Sequence, residues 1–250
     1  MKKHLRALVT GGARRIGAGL VKHCAGLDFA VTVHVWRSAV EAAELIETMP
    51  NKELHSVSCC DLSDQAARRA WLENLEEFDL VINNASCYRL TAPGQEETPE
   101  NRQRYWQVNY LAPLEIITRQ LNYARQRDRS ITVINLLDCD VLNADGGIKD
   151  AEEPAPGVDS YLYSRIMLAY MTKALAAEAA DHLRINAVAP GPVLPPVNCT
   201  TGGMTKILDR VPLHRQVGVE EIANAVDFFW KNPSLTGVIL PLDGGMHLNN

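Results

Sequence analysis

What this chain lacks narrows the field first. No apolar run approaches the roughly 20 residues that cross a bilayer. Met1-Lys2-Lys3-His4 leads straight into a strand-like segment and not into a signal peptide's apolar core. The expectation is a cytosolic protein with no membrane partner. A basic excess is missing too: the formal net charge is -5, which disfavours a nucleic-acid partner while leaving room for a local basic patch. Six cysteines (Cys24, Cys59, Cys60, Cys87, Cys139 and Cys199) show no metal-ligand spacing. Neither a metal site nor a disulfide framework is therefore expected, and the adjacent Cys59-Cys60 read as small packing residues in a reducing compartment. Repeats, low-complexity tracts and linkers are also absent, so residues 1–250 are expected to form one domain.

What is present is an alternation of short β-branched runs with amphipathic segments. At 250 residues, 46% of them hydrophobic, the chain is long enough to bury a substantial core. The most informative stretch is Ala7-Leu8-Val9-Thr10-Gly11-Gly12-Ala13-Arg14-Arg15-Ile16-Gly17-Ala18-Gly19-Leu20. An apolar run stops at a glycine pair, and an amphipathic segment follows. This predicts a strand, a tight turn and a helix, with bare backbone that lets a phosphate approach the helix N-terminus. A glycine turn by itself also suits any tight corner between a strand and a helix.

The spacing Thr-Gly-x-x-x-Arg-x-Gly, formed by Thr10, Gly11, Arg15 and Gly17, resembles the short-chain dehydrogenase/reductase family, and its arginine resembles the pteridine reductase branch. Further matches follow in order. Residues 54–60 form a third strand ending at Asp61-Leu62, where the family's aspartate meets the adenine; Asp61 also suits the cap of the next helix. Strand 78–82 runs into Asn83-Asn84-Ala85-Ser86, similar to the family's Asn-Asn-Ala-Gly turn beside the cofactor, with the serine of the pteridine reductases in last place. Tyr88 then stands where those enzymes place an aromatic ring against a pterin; ordinary loop packing is its plainer reading. Residues 96–120 read as one long helix carrying Asn109, which matches the family asparagine that perturbs this helix and holds a relay water. The segment through Pro190-Gly191-Pro192-Val193 resembles the one that contacts the nicotinamide carboxamide, and Asp243-Gly244-Gly245 resembles the closing motif.

The cofactor choice is read after the second strand, residues 30–36. NAD-preferring enzymes usually hold an acid there for the ribose 2′-hydroxyl. Here the strand ends Trp36-Arg37-Ser38. Arg37 and Arg15 as cations, with Ser38 as a hydroxyl donor, predict NADP(H); a solvated turn charge is the other reading of Arg37. With Gly11, Ile16, Gly17, Asp61, Leu62, Asn84, Ala85, Ser86, Pro190, Gly191 and Val193, these form the expected cofactor set.

Catalysis is read from two positions. Strand 130–137 ends in Asp138, where most of the family has serine and the pteridine reductases have aspartate. The family's Tyr-x-x-x-Lys appears as Tyr161-Leu162-Tyr163-Ser164-Arg165. The i, i+4 spacing puts Tyr161 and Arg165 on one helix face, and arginine keeps the charge but relays no proton. Between Asp138 and Tyr161 lie roughly ten more residues than such folds need. They predict an acidic inserted loop at about 143–159, either a lid or an inert excursion, and a substrate loop is expected at about 193–215.

The resemblance thus implies an α/β fold, a Rossmann-type doubly wound parallel sheet of about seven strands with helices on both faces. It implies an NADPH-dependent reductase of a dihydropterin or dihydrofolate, in which hydride passes to a C=N bond. Tyr161 and Asp138 would deliver the proton, Arg165 would anchor the ribose, and Arg15, Ser86 and Tyr88 would position the substrate. Two other readings stay open: a carbonyl or 3-oxoacyl-thioester reductase, and a cofactor-binding homologue of low activity because of Arg165. By the same resemblance a homotetramer is expected.

Overall fold

Among the described residues, all seven strands of the sheet run in the same direction. The computed structural model describes residues 4–88, 97–151, 159–195 and 203–249. The strands are β1 (Arg6–Thr10), β2 (Ala30–Val35), β3 (Ser56–Cys59), β4 (Leu80–Asn83), β5 (Ile131–Leu136), β6 (Leu183–Pro190) and β7 (Ile239–Leu242), in spatial order β3-β2-β1-β4-β5-β6-β7 with parallel pairing throughout. Strand side chains alternate between faces, and both faces are covered. Ala7, Val9, Leu80, Ile82, Ile134 and Leu136 pack with Leu20 and Val21 of α1 (Arg15–Gly26), Ala42 and Leu45 of α2 (Ala39–Glu47), and neighbouring helices. On the opposite face Leu8, Val81, Val133 and Ile185 pack with Leu72 of α3 (Gln65–Glu73) and other helical side chains. That two-sided burial is why the strands read as continuous apolar runs.

The helix expected over 96–120 runs as three successive segments, with a π-helical stretch around Asn109, the residue at which the resemblance set its perturbation. The segments are α4 (Pro99–Tyr105), the π-helical stretch Trp106–Leu111, and α5 (Ala112–Gln126). Chain order then gives α6 (Ser160–Glu178), α7 (Gly203–Leu208) and α8 (Val219–Lys231). The α3 cap is Asp64, whose carboxylate accepts from the Ala66 and Ala67 amides. The capping alternative for Asp61 is thereby corrected.

The inserted loop is described at 143–151 and 159, and its remainder lies outside the described residues. Its first part is a hairpin: Leu142 bridges to Ile148, the Lys149 amide returns to the Val141 carbonyl, and Tyr170 of α6 donates to the Lys149 carbonyl. Of the expected substrate loop, 196–202 also lie outside the described residues.

Strand order reverses between β1 and β4, where successive connections leave for opposite sides of the sheet. A crevice opens at the carboxyl ends of the strands at such a switch point, and open α/β sheets bind ligands there. Under its floor lies His34 of β2, fully packed. The Gly11 amide donates to its Nδ1 at 3.4 Å, and its Nε2 meets the Cys60 carbonyl at 3.2 Å. A carbonyl only accepts, so the ring is the neutral tautomer with hydrogen on Nε2. Burial pushes the imidazole from 6.5 down to about 4, against a smaller opposing effect of the Cys60 bond.

The depressed value sets a pH dependence. The unfolded ring takes up a proton near its ordinary value and the folded one does not, so this contribution is complete above pH 6.5 and is lost as pH falls toward about 4. Thermal melts across that window are expected to show a loss on the order of 3 kcal/mol from this group. In His34→Gln that component of the loss should disappear from the same window, and an unchanged slope would remove His34 as its cause.

Candidate active site

The turn after β1 is stitched to the end of β4 by a closed set of hydrogen bonds. The Thr10 hydroxyl accepts from the Asn84 and Ala85 amides, both at 3.0 Å. The Asn84 side chain donates back to the Thr10 and Gly11 carbonyls at 2.8 and 3.1 Å. Deeper in the sheet, Asn83 donates to Asn135 at 2.8 Å, and Asn135 donates to Thr172 of α6 at 2.9 Å. These bonds brace the sheet below the crevice, although Asn83 Oδ1 is left without a partner among the described residues. Gly11 has φ +64°, and a Cβ on Gly17 would fall inside the Gly11 carbonyl oxygen; the sharp turn needs glycine at both positions.

Above this floor lies a cavity of about 500 Å³. Of the residues expected at a dinucleotide, Gly11, Arg15, Ile16, Gly17, Asp61, Leu62, Asn84, Ala85 and Ser86 line it, as does Tyr88. Arg37, Ser38, Pro190, Gly191 and Val193 lie outside that lining. Ser38 is the first residue before α2, and its hydroxyl makes no capping bond. Gly191 is tied to β7 through its amide and the Leu242 carbonyl. Arg15 has φ +53°, a region unusual for a residue with a side chain. It donates to the Leu194 and Pro195 carbonyls at 3.4 and 2.9 Å. Its guanidinium thus reaches the exit of β6, on the opposite side of β1 from Arg37. The structure does not bring these two arginines together. Trp36, Arg104, Arg14, His34 and Cys60 also line the cavity. Sequence reasoning did not place them there, and Arg104 arrives from α4, far along the chain, with no local signal.

At the carboxyl end of β5 the residues read as catalytic do come together. The Tyr161 hydroxyl donates to Asp138 Oδ2 at 3.1 Å. Asp138 also accepts from the Asp140 amide, and Asp159 caps α6 by accepting from the Tyr161 amide at 2.9 Å. Both ends of the Tyr161–Asp138 contact are therefore held by backbone. Burial is the main influence on the Tyr161 phenol and pushes it up. The Arg165 charge pulls it down, while the Asp138 charge and hydrogen bond push it up further and a bond with Ser86 lowers it slightly. The net direction is upward, so the phenol stays protonated through the neutral range.

Arg165 is buried and donates to the Leu136 and Leu137 carbonyls at 2.7 and 3.3 Å, the two residues before Asp138. Its Nε is buried with no partner among the described residues, and its guanidinium carbon lies 5.9 Å from the Tyr161 ring. Tyr88, 54% exposed, meets the Tyr161 ring edge-on with centroids 4.8 Å apart; Tyr105 meets the same ring at 5.9 Å.

Asn109 holds the turn that carries Tyr88. Its oxygen accepts from the Cys87 amide at 2.8 Å and the Ser86 hydroxyl at 3.5 Å. Its nitrogen donates to the Cys87 carbonyl at 3.1 Å and the Ser164 hydroxyl at 3.2 Å. An amide offers two acceptor and two donor positions, and all four are taken. The side chain thereby acts as a clip between the 86–88 turn and α6.

Comparison with known proteins gives three kinds of likeness. Residues 11–247 match a family model described as enoyl-(acyl carrier protein) reductase. Among curated relatives, L-xylulose reductase of Bos taurus is 28% identical over 96% of this chain and 95% of its own. Pteridine reductase 1 of Leishmania tarentolae is 25% identical over 97% and 96%. Among solved structures, FolM alternative dihydrofolate reductase 1 of Brucella canis, complexed with NADP, superposes with a TM-score of 0.82 at 28% identity, over 98% of this chain and 94% of that one.

Proposed function

The chain belongs to the short-chain dehydrogenase/reductase family, and we propose that it is an NADPH-dependent reductase of a dihydropterin or dihydrofolate. The observation that carries this reading is the contact of Tyr161 with a carboxylate, Asp138, at the end of β5. Tyr88 stands beside the phenol as a ring against which a flat heterocycle can stack. The alternative dihydrofolate reductase and pteridine reductase relatives support the same chemistry at low identity.

The residues present fit the dinucleotide. The cavity is walled by the glycine turn and has Asp61 and Leu62 along one side. No acid ends β2, and a buried Arg165 Nε still wants an acceptor such as a ribose oxygen. When bound, reduced nicotinamide supplies the hydride. The remaining work falls to this chain. Tyr161, kept neutral by burial, gives its phenolic proton to the ring nitrogen of the C=N bond. The Arg165 charge steadies the phenolate that forms, and Asp138, in hydrogen-bond contact, passes a proton back from solvent. Arg165 cannot itself release a proton, so return through Asp138 replaces a route through residue 165. Tyr88, fixed by the Asn109 clip, orients the ring.

Turnover with NADPH should separate the readings. The expected order is a kcat/KM for dihydrobiopterin, dihydromonapterin or dihydrofolate at least about 100-fold above that for L-xylulose or an acetoacetyl thioester. The reverse order would support carbonyl reduction, the reading favoured by the L-xylulose reductase relatives. Tight NADPH binding with no turnover of any of these would support the cofactor-binding homologue.

A further inference from the structure

We propose that Asp140 is a positioning residue for the reaction: its carboxyl group pairs with that of Asp138, and the pair keeps in store the proton that Asp138 returns to Tyr161, under the charge of Lys149 on the inserted hairpin. The proposal rests on the reading that Tyr161 is the proton donor to a dihydropterin.

A second acid stands beside the first. Asp140 sits in the tight turn Cys139–Val141 that follows β5, between two buried residues. An oxygen of the Asp140 carboxylate and one of the Asp138 carboxylate lie within 4.8 Å of each other. A single water molecule spans such a gap with hydrogen bonds to both. Asp138 Oδ2 accepts from the Tyr161 hydroxyl, while its Oδ1 accepts from the Asp140 amide at 3.2 Å. Backbone therefore fixes the two acids to one another. The Asp140 side chain is half-buried, and among the described residues its carboxylate accepts no hydrogen bond and enters no ion pair. A charge so placed costs stability and brings the fold nothing in return. Groups of this kind concentrate where chemistry needs a held proton.

Two carboxylates at this range repel when both are charged, and one proton between them relieves the repulsion. Burial pushes the Asp140 carboxyl above the ordinary aspartate value, and the Asp138 charge adds to this. Lys149 and Arg210, the latter just past α7, pull it back, and Asp159 at the head of α6 pushes it up again. The Cys139 thiol between the two acids is raised by burial and brings no charge to the pair. Lys149 is what the extra residues contribute. The Leu142–Ile148 bridge and the bond from its own amide to the Val141 carbonyl fold it back against this turn, so that its charge reaches Asp140. When Tyr161 has given its proton away, the pair returns one to the phenolate through Asp138 and regains one from solvent at Asp140. Each cycle moves a single proton and leaves both carboxyl groups as they began.

The test is a carbon-13 carboxyl titration of the intact protein carrying labelled aspartate, with the Asp140 signal assigned by its loss in Asp140→Asn. Its midpoint should stand above the ordinary aspartate value of about 3.9, fall in Asp138→Asn and rise in Lys149→Met. Lys149→Met removes only a side chain, because the hairpin is held through the backbone amide and carbonyl of that residue. Steady-state reduction of a dihydropterin by NADPH is the second readout. In Asp140→Asn kcat should fall by about 3- to 30-fold with KM within about twofold of wild type, and Asp140→Glu should recover most of the loss. An Asp140 midpoint indifferent to Asp138→Asn would overturn the proposal and leave the pterin reading in place, as would an unchanged kcat in Asp140→Asn. A wild-type midpoint in Lys149→Met would overturn the part given to the hairpin. A coupled titration in a wild type that turns over no dihydropterin would overturn that reading and the role of the pair with it.

Discussion

Tyr161→Phe is expected to lower kcat for dihydropterin reduction by about 100- to 10,000-fold, the range that a positioned proton donor contributes, while leaving NADPH affinity within about threefold of wild type. The substitution removes only the hydroxyl. The ring contacts with Tyr88 and Tyr105 remain, and so do the Asp159 cap and the Asn109 clip, so the fold is retained. The loss should appear in kcat and kcat/KM alike, as for a group that acts in the transition state. The pH profile carries a second sign. Burial and Asp138 outweigh Arg165 and push the phenol above its ordinary value of 10. Wild-type reduction should therefore show no alkaline loss from phenol ionisation between about pH 6 and 9. A limb in that window that vanished in Tyr161→Phe would contradict the environment described for Tyr161.

Gly17→Ala is expected to cost on the order of 3 kcal/mol of stability, since the added methyl meets backbone and cannot be repacked. For a chain of this size that is roughly 6–12 °C in Tm. The new Cβ would overlap the Gly11 carbonyl oxygen and stand 2.8 Å from Asn84 Nδ2. Those are the atoms that stitch β1 to β4, so any relief moves the cavity wall. NADPH affinity should fall by at least about 100-fold through lost backbone approach. Gly26 provides the control. A Cβ there meets nothing within 4 Å, and Gly26→Ala should be neutral or stabilising by up to about 1 kcal/mol. Equal melting temperatures for the two variants would show that the turn is more yielding than its geometry states.

The inner strands were legible because strands buried on both faces need unbroken apolar runs, as in Ala7-Leu8-Val9 and Ile131–Leu136. The π-helical stretch within the 96–120 helix was not legible in periodicity and came only with the resemblance, which set the perturbation at Asn109. A π-helical stretch adds no residue type that periodicity detects, and its cause is a buried amide, Asn109, engaged by a turn distant in sequence. The meeting of Tyr161 with Asp138 followed from each standing at the cleft end of its own element. The partners of Arg165 did not. Sequence shows that the charge is kept, but only packing shows the guanidinium bonded to the Leu136 and Leu137 carbonyls. Arg15 and Arg37 looked like a pair because both flank the first βαβ unit, yet strand order sends Arg15 toward β6. Arg104, by contrast, meets Trp36 only through tertiary packing.

The account turns on Tyr161 and Asp138 acting as one proton-delivering unit. Its most direct measurement is a double-mutant cycle of Tyr161→Phe and Asp138→Asn, read as the single-turnover loss of reduced-nicotinamide absorbance on mixing with a dihydropterin. If the two groups form one unit, the double variant should be no slower than the worse single variant by more than about threefold. Two losses that simply multiply would mean that the phenol and the carboxylate work independently, and the mechanism drawn from their contact would be wrong.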